Sequence, residues 1–174
     1  MTGSSATHAE PGAVSLSPVR LNHAVLFVAD VEHSIAFYTS VFQMEVIDRV
    51  PRMNAAFLRL PRSGNHHDLG LFGVGTDAAP VRPGTVGLYH LAWQYETIDE
   101  LAAAKRVLIE AGAYTGESSH GATKSLYGAD PDGNQFELMW MLPRSEWGIY
   151  EHSAVVEPLD LAGEIARWSG VATV

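Results

Sequence analysis

Two kinds of hydrophobic periodicity alternate along this chain, and the sequence of them occurs twice. An apolar, strand-like run beginning near Leu21 leads through Asp30-Val31 into VEHSIAFYTSVF. There a helix starting at Asp30 is expected to bury Val31, Ile35, Phe37, Tyr38 and Phe42. A shift of 67 residues, as from position 23 to position 90, brings the pattern back. A second strand-like run beginning near Leu88 leads through Thr97-Ile98 into DELAAAKRVLIEAG. In this second helix Thr97 and Glu100 have capping-box spacing, Leu101, Leu108 and Ile109 form the apolar stripe, and Gly112 suits the residue after the helix. The first helix has Gln43-Met44 where such a glycine would stand.

Short β-like runs follow each helix. They are MEVIDRV, AAFLRL and HDLGLF in the first half, and a run near Tyr114, KSLYGA and FELMWML in the second. Asp130-Pro131-Asp132-Gly133 is a strong turn before the last of these. Each half reads β-α-β-β-β, which predicts an α+β fold of two tandem βαβββ modules; if these form a curved sheet around a cavity, residues of both modules can point into it. The expected boundaries are a flexible N-terminal tail over 1–18, the two-module domain over 19–143 (modules 19–79 and 86–143), and a C-terminal extension over 144–174. The Gly/Pro-rich GVGTDAAPVRPG joins the modules, and the extension carries one short helix, Leu159 to Trp168, to pack on the domain or on a second subunit.

Composition narrows the chemistry. A chain of 174 residues fits one domain with a real core, and 47% hydrophobic with 18% charged residues is ordinary for a soluble globule. The net charge of −9 argues against a nucleic-acid partner. With no cysteine, disulfides and thiolate metal sites are excluded. No apolar run spans a bilayer and the tail lacks the features of a signal peptide, so the expected location is cytoplasmic. GVGTDAA superficially resembles a dinucleotide loop, but Pro80 and Pro83 argue against the helix that must follow one.

The candidate chemistry lies at equivalent points of the repeat. Period-2 alternation groups His23 with Val25 and Phe27, His90 with Ala92 and Gln94, and Glu137 with Met139. The opposite faces hold Ala24, Leu26 and Val28, then Leu91 and Trp93, then Phe136, Leu138 and Trp140. Moving back 67 residues from Glu137 gives Gly70, so four equivalent positions hold His23, Gly70, His90 and Glu137. Three of these can bind metal. Two His and one carboxylate are the donor set of non-haem Fe(II) oxygenases, which leave coordination positions open. Mn(II) would suit the same donors.

On these residues the chain resembles the vicinal oxygen chelate superfamily (glyoxalase, bleomycin-resistance and extradiol-dioxygenase-like proteins) over about Leu21 to Met141. It is most similar to a catalytic module of type I extradiol catechol dioxygenases, with one two-module domain where the commonest of those have two. The resemblance implies His23, His90 and Glu137 as Fe(II) ligands. It implies His67, from NHHDLGLF, as an acid–base group, and His120 and Tyr127, from SHGATKSLYGADPDGNQFEL, as further active-site groups. Glyoxalase I-like members generally place a fourth ligand where Gly70 stands, and antibiotic-binding members generally lack the triad. Regular alternation from His66 would turn His67 away from Gly70's face, so His67 reaches the site only if its strand begins after a bend.

The expected function is therefore Fe(II)-dependent extradiol-type ring cleavage of a small catechol-like diol with O2, by a homodimer, as the superfamily resemblance implies. The alternatives are a non-redox metal-dependent lyase or isomerase and a binding protein for an aromatic metabolite or antibiotic. Met53, Phe57, Trp93, Met139 and Trp147 are candidates for the specificity pocket. Asp130 and Asn134 are assigned to the turn, and His8, His33 and His152 to the surface.

Overall fold

Alternating side chains and capped helices resolve into two similar layers. The computed structural model describes residues 16–79, 81–82 and 84–173; most of the tail, including His8, and the linker residues Pro80 and Pro83 lie outside these. The first module runs β1 (Ala24–Val28), α1 (Val31–Val41), β2 (Glu45–Val50), β3 (Ala55–Arg59) and β4 (Leu69–Gly73). The second runs β5 (Leu91–Gln94), α2 (Ile98–Glu110), β6 (Tyr114–Ser119), β7 (Thr123–Ala129) and β8 (Gln135–Met141). Each module forms its own four-stranded sheet, in the orders β1-β4-β3-β2 and β5-β8-β7-β6. This is the α+β fold that the pattern predicts. The first and last strands of each module are parallel and the other pairs antiparallel. The repeat persists in the register: Val25 lies opposite Gly70, and 67 residues on Ala92 lies opposite Glu137.

Local chemistry sets the helix limits. The Asp30 carboxylate accepts from the His33 amide and starts α1, and the Thr97–Glu100 capping box starts α2. After α2, Gly112 takes φ +66°; after α1, Gln43 adopts the same left-handed region at φ +55° without glycine's freedom. Ile98, Leu101, Ala104 and Leu108 form the buried stripe of α2, whereas Ile109 is 55% exposed. That corrects the expected stripe: Ile109 stands about 100° around the helix from Leu108 and falls off its edge.

One core serves both modules. Phe37 and Phe42 reach from α1 to Phe136 at ring-centroid distances of 6.1 and 5.1 Å, and Phe42 also meets Trp93 at 5.8 Å. Beside them the Tyr38 hydroxyl donates to Asp130 Oδ2 at 3.0 Å. Burial, then the Asp130 charge, raises the Tyr38 phenol far above its ordinary value, so it remains a donor. Asp130 also accepts from the amides of Asp132 and Asn134, so the predicted turn residue doubles as a tie between modules.

Residues 144–173 wrap the second module. Two 3-10 turns (Arg144–Glu146 and Gly148–Glu151) lead to α3 (Leu161–Trp168), which Asp160 caps two residues later than the expected start. Trp168 meets Trp140, and Glu164 pairs at 2.9 Å with the ammonium of Lys124, a residue only 6% exposed in β7. Ser119 and Glu157 exchange two backbone hydrogen bonds. No helix among the described residues is long and apolar enough to cross a membrane.

Tyr38→Phe keeps the ring but removes the bond to a charged acceptor. It should cost about 2 kcal/mol in urea unfolding without altering far-UV circular dichroism.

Candidate active site

The second sheet has one apolar and one polar face. Phe136, Leu138 and Trp140 are buried, which turns Glu137 and Met139 to the other side together with Ala92 and Gln94 of β5. His90 stands one residue before β5. The parallel register carries it to Glu137, with His90 Nε2 3.0 Å from Glu137 Oε2. Two donors each about 2.1 Å from a metal and at right angles to one another stand about 3 Å apart, so this pair has the spacing of adjacent ligands. His90 Nδ1 is buried without a hydrogen-bond partner. Tyr127 lies directly across the ladder from Glu137, its ring 6.1 Å from that of His90. The Tyr127 hydroxyl is 2.6 Å from His120 Nε2, and Ser118 Oγ lies 3.4 Å from both atoms.

The first sheet holds a second histidine cluster. His23 stands one residue before β1, on the face where Val25 and Phe27 are 52% and 73% exposed. His67 lies against it with ring centroids 4.4 Å apart, and meets Phe57 edge-on at 5.2 Å. The chain bends at residues 65, 66 and 68, and β4 begins only at Leu69, so His67 escapes the alternation that would have turned it from His23. Asp68 maintains the bend: its carboxylate accepts from the Leu60 amide (2.7 Å), Ser63 Oγ (2.8 Å) and Asn65 Nδ2 (2.7 Å). Asn65 in turn binds Asn22, whose side chain is 3.0 Å from His23 Nδ1. Burial first, then the neighbouring His23 and His66, hold the His67 imidazole below its ordinary value. A Cβ at Gly70 would stand 3.3 Å from Val25 and 3.4 Å from Phe57, so this position closes the face and offers no donor.

The fold thus brings His90, Glu137, Tyr127 and His120 together on the second module, and His23 with His67 on the first. Among the described residues no three His, Cys, Asp or Glu side chains form a group able to hold a metal ion. Within one chain the predicted donor set is therefore two-thirds assembled. Met139 shares the face of Glu137 and Phe57 that of Gly70, but Trp93, expected in the specificity pocket, packs on Phe42 under the helices. Met53 is half exposed, and Trp147 donates to the Leu142 carbonyl in the extension. His33 and His152 are exposed. A cavity of about 420 Å³ lies beneath the linker, lined by Leu26, Leu91, Trp93 and Phe136 on the faces away from His23 and Glu137. Sequence reasoning passed over Asn65 and Asp68, although a carboxylate directly after the histidine pair was a usable signal. It also passed over Val155, whose carbonyl faces His120 and which nothing in the local sequence marks.

Residues 20–138 match the model of the Glyoxalase/Bleomycin resistance protein/Dioxygenase superfamily. The chain belongs to this superfamily. Among similar superfamily members, catechol-2,3-dioxygenase of Bacillus subtilis (strain 168) is 33% identical over 73% of this chain and 43% of its own length. Biphenyl-2,3-diol 1,2-dioxygenase 3 of Rhodococcus globerulus is 35% identical over 68% of this chain and 62% of its own. The chain thus spans about half the length of these curated relatives. In fold it is similar to a glyoxylase/bleomycin resistance protein/dioxygenase domain from Frankia sp. EAN1pec, at a TM-score of 0.61 and 24% identity, over 72% of this chain and 99% of that one.

Asp68→Ala removes the acceptor that holds the bend and leaves the Leu60 amide unpaired. A loss of about 2 kcal/mol is expected in urea unfolding, and in NMR spectra the His67 ring resonances should lose the ring-current shift from Phe57.

Proposed function

We propose that this protein is a cytoplasmic, homodimeric, Fe(II)-dependent extradiol-type dioxygenase that opens the ring of a small catechol-like diol with O2. The observation that carries this reading is the 3.0 Å approach of His90 Nε2 to Glu137 Oε2, with Tyr127 and His120 on the same sheet face. Relatives named as dioxygenases of catechol and biphenyl-2,3-diol support the substrate class.

His23, His90 and Glu137 would hold the metal, with His23 supplied by a second copy of the chain. Two observations support that division. The packing of Phe37 and Phe42 on the second sheet fixes how the modules sit within one chain, and there His23 is not grouped with the pair. In addition, β1 and β5 are outer strands, so each leaves a sheet edge free beside its histidine. A two-fold pairing of such edges covers both at once and buries Val25 and Phe27.

A ferrous ion would supply a centre where diol and O2 are brought into contact. The chain's residues do the rest. Glu137 and His90 give that centre one negative charge and open positions. Tyr127 hydrogen-bonds a substrate hydroxyl, and His120 orients Tyr127. His67, neutral near pH 7 because its protonation is disfavoured, takes a proton from the diol and returns it later. Both atoms of O2 enter the product as the bond beside the diol breaks, so no external reductant is consumed. The incomplete donor set within one chain favours a second reading, a binding protein for an aromatic ligand.

Anaerobically purified chain loaded with Fe(II) should consume one O2 per catechol and give a yellow product. Glu137→Ala should lower the rate by at least about 100-fold. Saturable catechol binding without O2 uptake, persisting in Glu137→Ala, would instead establish the binding protein. Homodimers of His23→Ala and of Glu137→Ala should both be inactive, whereas refolding them together should restore about a quarter of parental activity, because one site in each mixed dimer is intact. No recovery on mixing would place the whole donor set within one chain.

A further inference from the structure

We propose that the C-terminal extension sets the hydrogen-bond polarity of the site: the Val155 carbonyl fixes the tautomer of His120, and this makes Tyr127 an acceptor towards ligand. The family match ends at residue 138, so the extension lies beyond the shared domain. It nevertheless reaches the site. His120 Nδ1 is 2.9 Å from the Val155 carbonyl oxygen. A carbonyl only accepts, so Nδ1 is the nitrogen that carries hydrogen. In the neutral ring Nε2 then presents a lone pair, and the group 2.6 Å away is the Tyr127 hydroxyl. The single phenolic proton is committed to His120.

The consequence is directional. With its proton turned to His120, the Tyr127 oxygen can offer only lone pairs to a molecule beside Glu137. It therefore selects a ligand with a free hydroxyl at that point over one whose oxygen is alkylated. The contact is mechanically supported: Ser119 and Glu157 exchange backbone hydrogen bonds of 2.8 and 3.0 Å two residues beyond Val155, and Gly121 leaves no room for a Cβ against Tyr150. Val155 and His120 are positioning residues here, and they act through Tyr127. The ligand half of the inference rests on the diol reading above; the tautomer half does not.

The test uses the metal-free full chain with 15N-labelled histidine at pH 8. Long-range 1H–15N spectra, with His120 assigned by its loss in His120→Asn, should show a protonated-type Nδ1 and a lone-pair-type Nε2. Glu157→Pro deletes the amide that binds Ser119 and should shift the ring towards the Nε2–H form. Glu157→Ala keeps that amide and should match the parent. An Nε2–H ring in the parent chain, or an Nδ1–H ring surviving in Glu157→Pro, overturns the inference whatever the activity assay gives. With catechol as substrate, Glu157→Pro should raise KM roughly fivefold at unchanged metal content, the worth of one hydrogen bond. An unchanged KM in a variant whose tautomer has shifted would overturn the ligand half alone.

Discussion

A parallel ladder between the first and last strand of each module decides where chemistry can occur in this protein. Parallel pairing needs a crossover, which the helix provides, and it brings the entry of the first strand beside the entry of the last. In the second module that juxtaposition sets an imidazole against a carboxylate, and in the first it sets His23 near a glycine. The same geometry, used twice, thus gives one half of the molecule an imidazole–carboxylate pair and the other an imidazole with no carboxylate at the equivalent position. Burying the opposite sheet faces under α1 and α2 prevents either strand from sliding, because a one-residue slip would exchange core and site.

The helix layer has a second effect. By sending Phe37 and Phe42 into the other module's core, α1 removes freedom between the halves and fixes the distance between the two histidine clusters. A rigid scaffold of this kind aids positioning once all donors are in place. Val25 and Phe27 beside His23 form an exposed apolar patch on an outer strand.

Much of this was legible in the sequence, and the exceptions have physical causes. The helices declared themselves through Asp30, Thr97 and Glu100, because caps are local chemistry. The sheet faces followed from period-2 alternation, and the equivalence of Gly70 and Glu137 from the offset alone. His67 was legible only as a conditional, since a bend held by Asp68 and Asn65 depends on partners at Leu60 and Asn22. Ile109 was misassigned because an apolar residue at the margin of a stripe reads like one inside it. Trp93 was placed in two environments at once, and contact with Phe42 decided between them. Val155 acts through its main chain, and no side-chain pattern can reveal a carbonyl brought from 35 residues away.

The ion pair between Lys124 and Glu164 bears on where this protein can be cut. The family match stops soon after Glu137, yet Lys124 sits within it with its ammonium almost wholly withdrawn from water. Its counter-charge is on α3. A shortened chain would keep the cation, lose its anion and leave Ser119 Oγ beside the ammonium. The matched region thus carries a cation whose partner lies outside it, and α3 completes the ion pairing of the second sheet.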